Sequence, residues 1–243
     1  MSAPSIHIQF QGHPALNLSL KPEGPTVTHI PTWANLTDIS CPGNQLHGPR
    51  VKYCRLMVEL SELVEHFDAV TSIEQGTLEL EYEDNTKVSM SNNAQTLFFN
   101  AFWFVILHSK CSVFKFSQWA RSHYLPTQSP ERLLYAFLSI VVIEKKLAND
   151  NNTDSIKETL VRLMRLLRDV LHNLIVRLQT HRSMRSDSVI GGLLMLLNLV
   201  TLFDLEYDQY FNRLKQNLEQ NSLKKSTYNN LRLAELKETA HVL

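Results

Sequence analysis

One long amphipathic segment, residues 155–181, constrains the fold of this chain more than any other stretch. Its apolar residues recur at spacings of four, three, four, three and four, which predicts a stripe along one side of an α-helix. The stripe comprises Leu160, Met164, Leu167, Leu171, Leu174 and Leu178, and it is widened by Leu163, Leu166, Val170 and Ile175. So broad a stripe needs neighbours on several sides, which indicates the central helix of a bundle. Ser155 and Glu158 have the spacing of a capping box, so the helix is predicted to begin near Ile156.

Arginine side chains predict a basic surface on the outside of this helix. The set comprises Arg162, Arg165, Arg168 and Arg177, continued by Arg182 and Arg185 in the connector that follows. Arginine suits bidentate contacts with carboxylate or phosphate groups, so we expect contact with a protein partner or with RNA or DNA. A solvated surface that pairs with acidic residues of the same fold is the alternative. Ser188 follows Arg185 by three residues, which resembles a basophilic kinase site.

Two β-hairpins are predicted near the start of the chain. Residues 5–10 and 15–20 alternate apolar with polar side chains and flank a glycine-containing turn. Residues 77–83 and 87–91 show the same alternation around an Asp-Asn turn. Residues 27–30 could add a short third strand.

An acidic amphipathic helix is predicted between the hairpins, at residues 54–67. The irregular segment that precedes it, residues 31–50, contains Trp33, which we expect to anchor the segment on the core and to contact a partner. The predicted acidic interaction surface consists of Glu59, Glu62 and Glu65 on the helix and Glu79, Glu81 and Glu83 on the second hairpin. An exposed charged face without a partner explains the same glutamates.

Helical patterns replace strand patterns after Asn93. Residues 95–108 are apolar on almost every side, which predicts either a buried helix or an interface. Residues 112–124 are predicted as a further helix, and Ser129-Pro130-Glu131 has the pattern of a helix start, which predicts another helix over residues 130–147. Residues 189–203 form the most hydrophobic run, but these 15 residues are fewer than the roughly 20 that cross a bilayer. We therefore predict a buried core helix there and no transmembrane segment.

These patterns predict an α+β fold with segregated parts. Residues 1–93 should form a β-rich acidic region, residues 94–221 an all-α helical bundle, and residues 222–243 a polar tail. Residues 1–93 hold 5 Lys and Arg against 11 Asp and Glu, a net charge of −6, whereas residues 94–243 hold 19 against 13, a net charge of +6. The two parts should attract each other, within one molecule or between copies.

The sequence contains no recognisable catalytic, cofactor-binding or metal site. Only 7 glycines occur, which argues against glycine-rich phosphate loops. Cys41, His47, Cys54 and His66 lie within 26 residues, but their spacing matches no standard zinc site. A Cys-His nucleophile has no local signature either. The odd number of 3 cysteines and the polar N-terminus indicate free thiols and an intracellular protein of the cytoplasm or nucleus.

Three functional hypotheses follow from these observations. The first is a non-enzymatic interaction or assembly protein, such as a complex subunit, an adaptor or a viral-type accessory or structural protein, that contacts a protein partner or another copy of itself. The second is an RNA- or DNA-binding protein that uses the arginine-rich helix and the 182–185 connector. The third is a hydrolase or metal enzyme without a recognisable motif.

Overall fold

The computed structural model of the chain describes residues 3–20, 30–35, 52–109, 153–181 and 187–201. It also describes residues 111, 114, 121, 124–126, 139, 142, 143, 145, 208, 209, 211–213 and 216. The chain divides into two compact units, Met1–Thr201 and Leu202–Leu243. The strands and helices named below belong to the first unit, and the described residues of the second unit are helical.

The N-terminal layer is a four-stranded antiparallel sheet. Its strands, in the order β2-β1-β3-β4, are β1 (Ser5–Phe10), β2 (Leu16–Ser19), β3 (Gln75–Glu81) and β4 (Lys87–Asn93). In the register, Ile6 lies opposite Leu18 on one neighbouring strand and Leu80 on the other. Because side chains alternate between the two faces of a sheet, this register places all three apolar residues on one face, where they are buried.

Both predicted hairpins are present, β1 with β2 and β3 with β4. Each turn contains a residue in the left-handed region, Gly12 with a φ of 82° and Asn85 with a φ of 65°. Glycine and asparagine are the residues that adopt this conformation most readily. The sequence patterns did not predict that β1 also pairs with β3, which joins the two hairpins into one sheet.

Two helices cover the apolar face of the sheet. Helix α1 spans Arg55–Phe67 and helix α2 spans Ala94–His108, in agreement with the predicted helices at 54–67 and 95–108. The side chain of Asn93 accepts a hydrogen bond from the backbone N–H of Thr96 and so caps the start of α2. Helix α2 is buried on nearly every side, which explains why its sequence is apolar all round.

Aromatic rings connect the sheet with both helices. The ring of Phe67 on α1 lies edge to face with Phe10 of β1, at a centroid distance of 5.4 Å, and with Phe98 of α2, at 5.2 Å. Such pairs contribute roughly 0.5–1.5 kcal/mol each beyond the burial of their area. All three rings are fully buried, so they form the centre of the core.

Helix α3 is the longest described helix, Thr153–His181. It begins before Ile156, so the capping box predicted at Ser155 and Glu158 is wrong. Ser155 already lies inside the helix, where its hydroxyl accepts a hydrogen bond from the ammonium of Lys145 at 2.9 Å. The capping pattern alone could not exclude one further helical turn on its N-terminal side.

Residues 187–201 form a further helix that packs closely on α2. A Cβ atom on Gly192 would lie 2.5 Å from Cδ1 of Phe98, so only glycine permits this approach. The side chains of Val189, Leu193 and Leu196 are buried, as expected for a core helix. Within the described parts of the chain, no helix has the length and apolar character that a bilayer crossing requires.

The predicted α+β fold class is confirmed: a small antiparallel sheet stands at the N-terminus and helices follow it. The predicted strand at 27–30 lies outside the described residues except for Ile30. Most residues of the predicted helices at 112–124 and 130–147 lie outside them as well. Residues 1–93, α2 and α3 all belong to the unit Met1–Thr201, and the finer division at residues 93 and 221 stays a prediction.

Candidate functional site

The leucine stripe of α3 faces the interior. All six residues that define it are at most 3 % exposed: Leu160, Met164, Leu167, Leu171, Leu174 and Leu178. The prediction that this side of the helix is covered by other parts of the fold is therefore confirmed. Because 3.6 residues complete a turn, residues about half a turn away from the stripe, such as Glu158, Arg162 and Asp169, lie on the opposite side of α3.

That opposite side of α3 borders a groove of about 860 Å³, which we call the α3 groove. Among the described residues, its lining side chains come from one face of α3 and mix acidic, basic and aliphatic types: Asp154, Lys157, Glu158, Val161, Arg162, Arg165, Leu166 and Asp169. At about 1.5 Å per residue, the distance from Asp154 to Asp169 is about 22 Å along the helix axis.

The predicted arginines divide into an exposed group and a buried one. Arg162, Arg165 and Arg168 are exposed. Arg168 lies 4.0 Å from the carboxylate of its neighbour Asp169, which is a weak surface contact. Neither Arg162 nor Arg165 forms an ion pair with any residue that the structure describes. These two guanidinium groups are therefore available to an external carboxylate or phosphate.

Arg177 departs from the prediction of an outward basic surface. Its side chain is only 8 % exposed and donates hydrogen bonds to the main-chain carbonyls of Trp33 and, at 3.1 Å, Asn35. Trp33 lies in a short 3-10 helix, Thr32–Ala34, and is itself buried. Trp33 therefore anchors its segment on the core, as expected, and does not lie on the surface. Arg177 connects this 30–35 segment to α3. The remaining predicted arginines, Arg182 and Arg185, lie outside the described residues.

The kinase-site interpretation of Ser188 does not agree with the structure. The Ser188 hydroxyl is fully buried and donates a hydrogen bond to the carbonyl of Phe67 at 3.0 Å. The preceding residue, Asp187, accepts hydrogen bonds from the N–H and the hydroxyl of Ser72 at 2.8 and 2.7 Å. These contacts join the start of the 187–201 helix to the segment after α1. Ser186 lies outside the described residues.

Partners within the chain contact much of the predicted acidic surface on the second hairpin. The ammonium of Lys87 lies 3.1 Å from Glu79 and 3.6 Å from Glu81 on the neighbouring strand. Glu83 lies 3.4 Å from Arg121. Such exposed ion pairs across a sheet are weak, and they reduce the net charge that a partner would encounter.

The predicted acidic surface of α1 is likewise reduced. Glu59 is buried and accepts a hydrogen bond from Arg55, one helical turn earlier, at 2.8 Å. Glu62 is half-buried and Glu65 is exposed. Of these three glutamates, Glu65 alone is exposed.

A second concave site, which the sequence did not predict, lies where the β3–β4 hairpin meets the end of α2. This cavity of about 270 Å³, called here the hairpin pocket, is lined by Tyr82, Glu83, Asp84, Thr86, Val88, His108, Arg121, Tyr124 and Leu125. No local sequence motif predicts this pocket, because its lining residues are up to 43 positions apart in sequence, from Tyr82 to Leu125. The only indication in the sequence is His108, a polar residue that follows the apolar run Ala101–Leu107 at the end of α2.

Cysteine and histidine residues do not gather into a metal site in the part of the chain that is described. Cys54 and Cys111 are buried free thiols. His66 packs its ring on Phe10 at 5.9 Å, and burial together with the nearby His13 lowers its pKa. Cys41 and His47 of the considered zinc set lie outside the described residues.

The sheet, the helices on its apolar face and the long helix α3 define an α+β protein with a mixed-charge groove along α3. A family model described as a domain of unknown function (DUF6901) matches residues 13–216. This match covers most of the chain, and the chain therefore belongs to that family. No curated protein and no solved structure matched the chain.

Proposed function

We propose that this protein is a non-enzymatic interaction protein that binds a segment of a protein partner in the α3 groove. The observation that carries the proposal is the exposed pair Arg162 and Arg165, which have no ion-pair partner among the described residues and flank the aliphatic side chains of Val161 and Leu166. Charged side chains around an aliphatic centre are the arrangement found in protein interfaces, where the centre excludes water and the rim sets orientation.

The mixed charge of the groove favours a protein partner over a nucleic acid. Three carboxylates, from Asp154, Glu158 and Asp169, lie among the three basic side chains. A phosphate backbone that follows the groove would meet these carboxylates and be repelled, whereas nucleic-acid sites are basic throughout. A helix of about four turns in the partner could instead place acidic groups opposite the arginines and a basic group opposite Glu158.

Charge reversal tests the proposal. In the variant Arg162→Glu/Arg165→Glu, two attractive contacts become repulsive, and capture of the partner from extracts of the source cells should fall at least tenfold. The matched control is Lys52→Glu/Arg213→Glu, which changes two other exposed basic residues and shifts the net charge equally. Quantitative mass spectrometry measures which proteins each variant captures. Analytical ultracentrifugation of the purified protein measures self-association, in case the partner is a second copy of the chain.

Two results would overturn this function. The first is a groove variant that retains the same proteins, and the same self-association, as the control. The second is loss of RNA or DNA from the groove variant alone, together with a steep decrease of binding with salt, which would establish the nucleic-acid hypothesis instead.

A further inference from the structure

The hairpin pocket has preformed walls. The hydroxyl of Tyr82 donates to the main-chain carbonyl of Tyr124, and the hydroxyl of Tyr124 donates to Oδ1 of Asn100 at 2.7 Å. The amide nitrogen of Asn100 in turn donates to the carbonyl of Thr96 at 2.9 Å, inside α2. This buried chain of hydrogen bonds holds both aromatic rings in place. A pocket with fixed walls binds a ligand without first having to order its side chains.

His108 provides an acceptor in this pocket. Its Nδ1 atom lies 2.9 Å from the carbonyl oxygen of Phe104 and must donate to it, because a carbonyl can only accept. Burial lowers the pKa of His108 to about 4, so the ring is neutral at physiological pH. Nε2 is then the acceptor nitrogen, and it has no hydrogen-bond partner within the described part of the chain.

The rim of the hairpin pocket disfavours anions. Glu83 and Asp84 carry two negative charges there, and Arg121, 3.4 Å from Glu83, carries one positive charge. An anionic ligand would compete with Glu83 for Arg121 and would approach Asp84 as well. A cationic ligand would be attracted by the carboxylates at the rim. However, the positive charge of Arg121 lies near His108 and would repel a cation there. A neutral ligand meets neither penalty.

We propose that the hairpin pocket binds a small, uncharged, mainly apolar molecule whose single hydroxyl or N–H group donates a hydrogen bond to Nε2 of His108. A cavity of about 150 Å³ holds a benzene molecule, so the hairpin pocket, at about 270 Å³, has room for a molecule of one or two rings, such as a phenol or an indole. Val88, Leu125 and the two tyrosine rings supply the apolar contacts. This site is separate from the α3 groove and does not depend on the function proposed for it.

Three probes of similar size test the chemistry: phenol, toluene and benzoate, titrated into the full chain and followed by heteronuclear NMR. Phenol should bind roughly two- to tenfold more tightly than toluene, because one neutral hydrogen bond contributes that factor. Benzoate should bind more weakly than phenol. In His108→Phe the advantage of phenol over toluene should disappear, whereas His172→Phe, at an exposed position on α3, should retain it.

The variant Val88→Trp serves as a second test if His108→Phe does not fold. Its indole should occupy the pocket from the hairpin side and abolish binding of all three probes. The proposal is overturned if none of the probes shifts the signals of pocket residues at millimolar concentration. Equal affinity of the wild-type protein for phenol and toluene, or tightest binding of benzoate, would overturn it as well.

Discussion

Replacement of Arg177 by methionine should destabilise the protein more than any exposed arginine substitution on the same helix. The guanidinium donates to the carbonyls of Trp33 and Asn35 from a position that is 8 % exposed. Methionine keeps a long, flexible side chain but offers no donor. The carbonyl of Trp33 would then be buried without its charged partner, in a segment whose aromatic side chain is part of the core.

The magnitude follows from the two bonds. A hydrogen bond from a charged donor contributes roughly 1.5–3 kcal/mol, and removal of one partner leaves the other with its desolvation cost. We therefore expect Arg177→Met to lower the free energy of unfolding by about 3–5 kcal/mol, a large part of the total for a typical domain. Arg177→Lys keeps the charge but cannot reach both carbonyls with one ammonium, so about half of the loss should remain.

Urea denaturation followed by tryptophan fluorescence and circular dichroism measures this loss. The matched control is Arg168→Met, at an exposed position on the same helix, which should change the free energy of unfolding by no more than about 0.5 kcal/mol. If Arg177→Met and Arg168→Met were equally stable, the two carbonyl contacts would not hold the 30–35 segment on α3, and the reasoning about Arg177 would be refuted.

Three further predictions concern the core. Burial lowers the pKa of His108 to about 4, so the unfolded chain takes up a proton below about pH 6.5 that the folded chain does not. This difference should lower the free energy of unfolding by up to about 3 kcal/mol as the pH decreases from 7 to 4. Because His108→Phe lacks the titrating group, urea titrations of that variant should show a loss between pH 7 and 4 that is smaller by this amount. Gly192→Ala forces a methyl group against the Phe98 ring and should lower the free energy of unfolding, measured by denaturant titration, by about 1–3 kcal/mol. The control Gly191→Ala places its methyl group against the flexible side chain of Gln95 and should lower it less. Equal losses in the two variants would contradict this packing. Ser188→Asp places a carboxylate in the buried site beside the carbonyl of Phe67 and should lower Tm by several degrees. Detection of phosphate on Ser188 of the folded protein would contradict the burial of this hydroxyl.

Local patterns predicted the elements of this fold because their periods are read over a few residues. The alternation in residues 5–10 and the four-three spacing around Leu167 each report which side of an element is covered. The pairing of β1 with β3 could not be predicted in this way. It joins Ser5 to Glu81, and such a long-range contact leaves no signature in the local sequence.

Polar residues were harder to place than apolar ones. Arg177 and Arg165 each stand between two apolar residues in the sequence, yet one lies under the 30–35 segment and the other is exposed. A spacing rule gives the direction of a side chain from the helix axis, but it does not reveal whether another segment covers that direction. Ser188 was misinterpreted for the same reason, because Phe67, which accepts its hydrogen bond, is 121 residues away.

The hairpin pocket lay beyond sequence reasoning altogether. Tyr82 belongs to the hairpin, His108 to the end of α2 and Arg121 to neither. Their meeting depends on how α2 crosses the sheet. The arginines of the α3 groove, in contrast, could be proposed from the sequence because its lining residues in the described part of the chain belong to one helix.

The most direct test of the orientation of α3 is the reactivity of a thiol placed at each of two adjacent positions. It measures whether the leucine stripe is buried and the arginine side is exposed. Met164 is 3 % exposed and Arg165 is exposed. In the separate variants Met164→Cys and Arg165→Cys, maleimide labelling at each site is followed by mass spectrometry of the purified protein. A thiol at position 165 should react about as fast as in an unfolded peptide, whereas one at 164 should react at least about a hundredfold more slowly, because it becomes accessible only on local opening. Equal rates at the two positions would contradict the burial of the stripe and, with it, the orientation on which the proposed interaction depends.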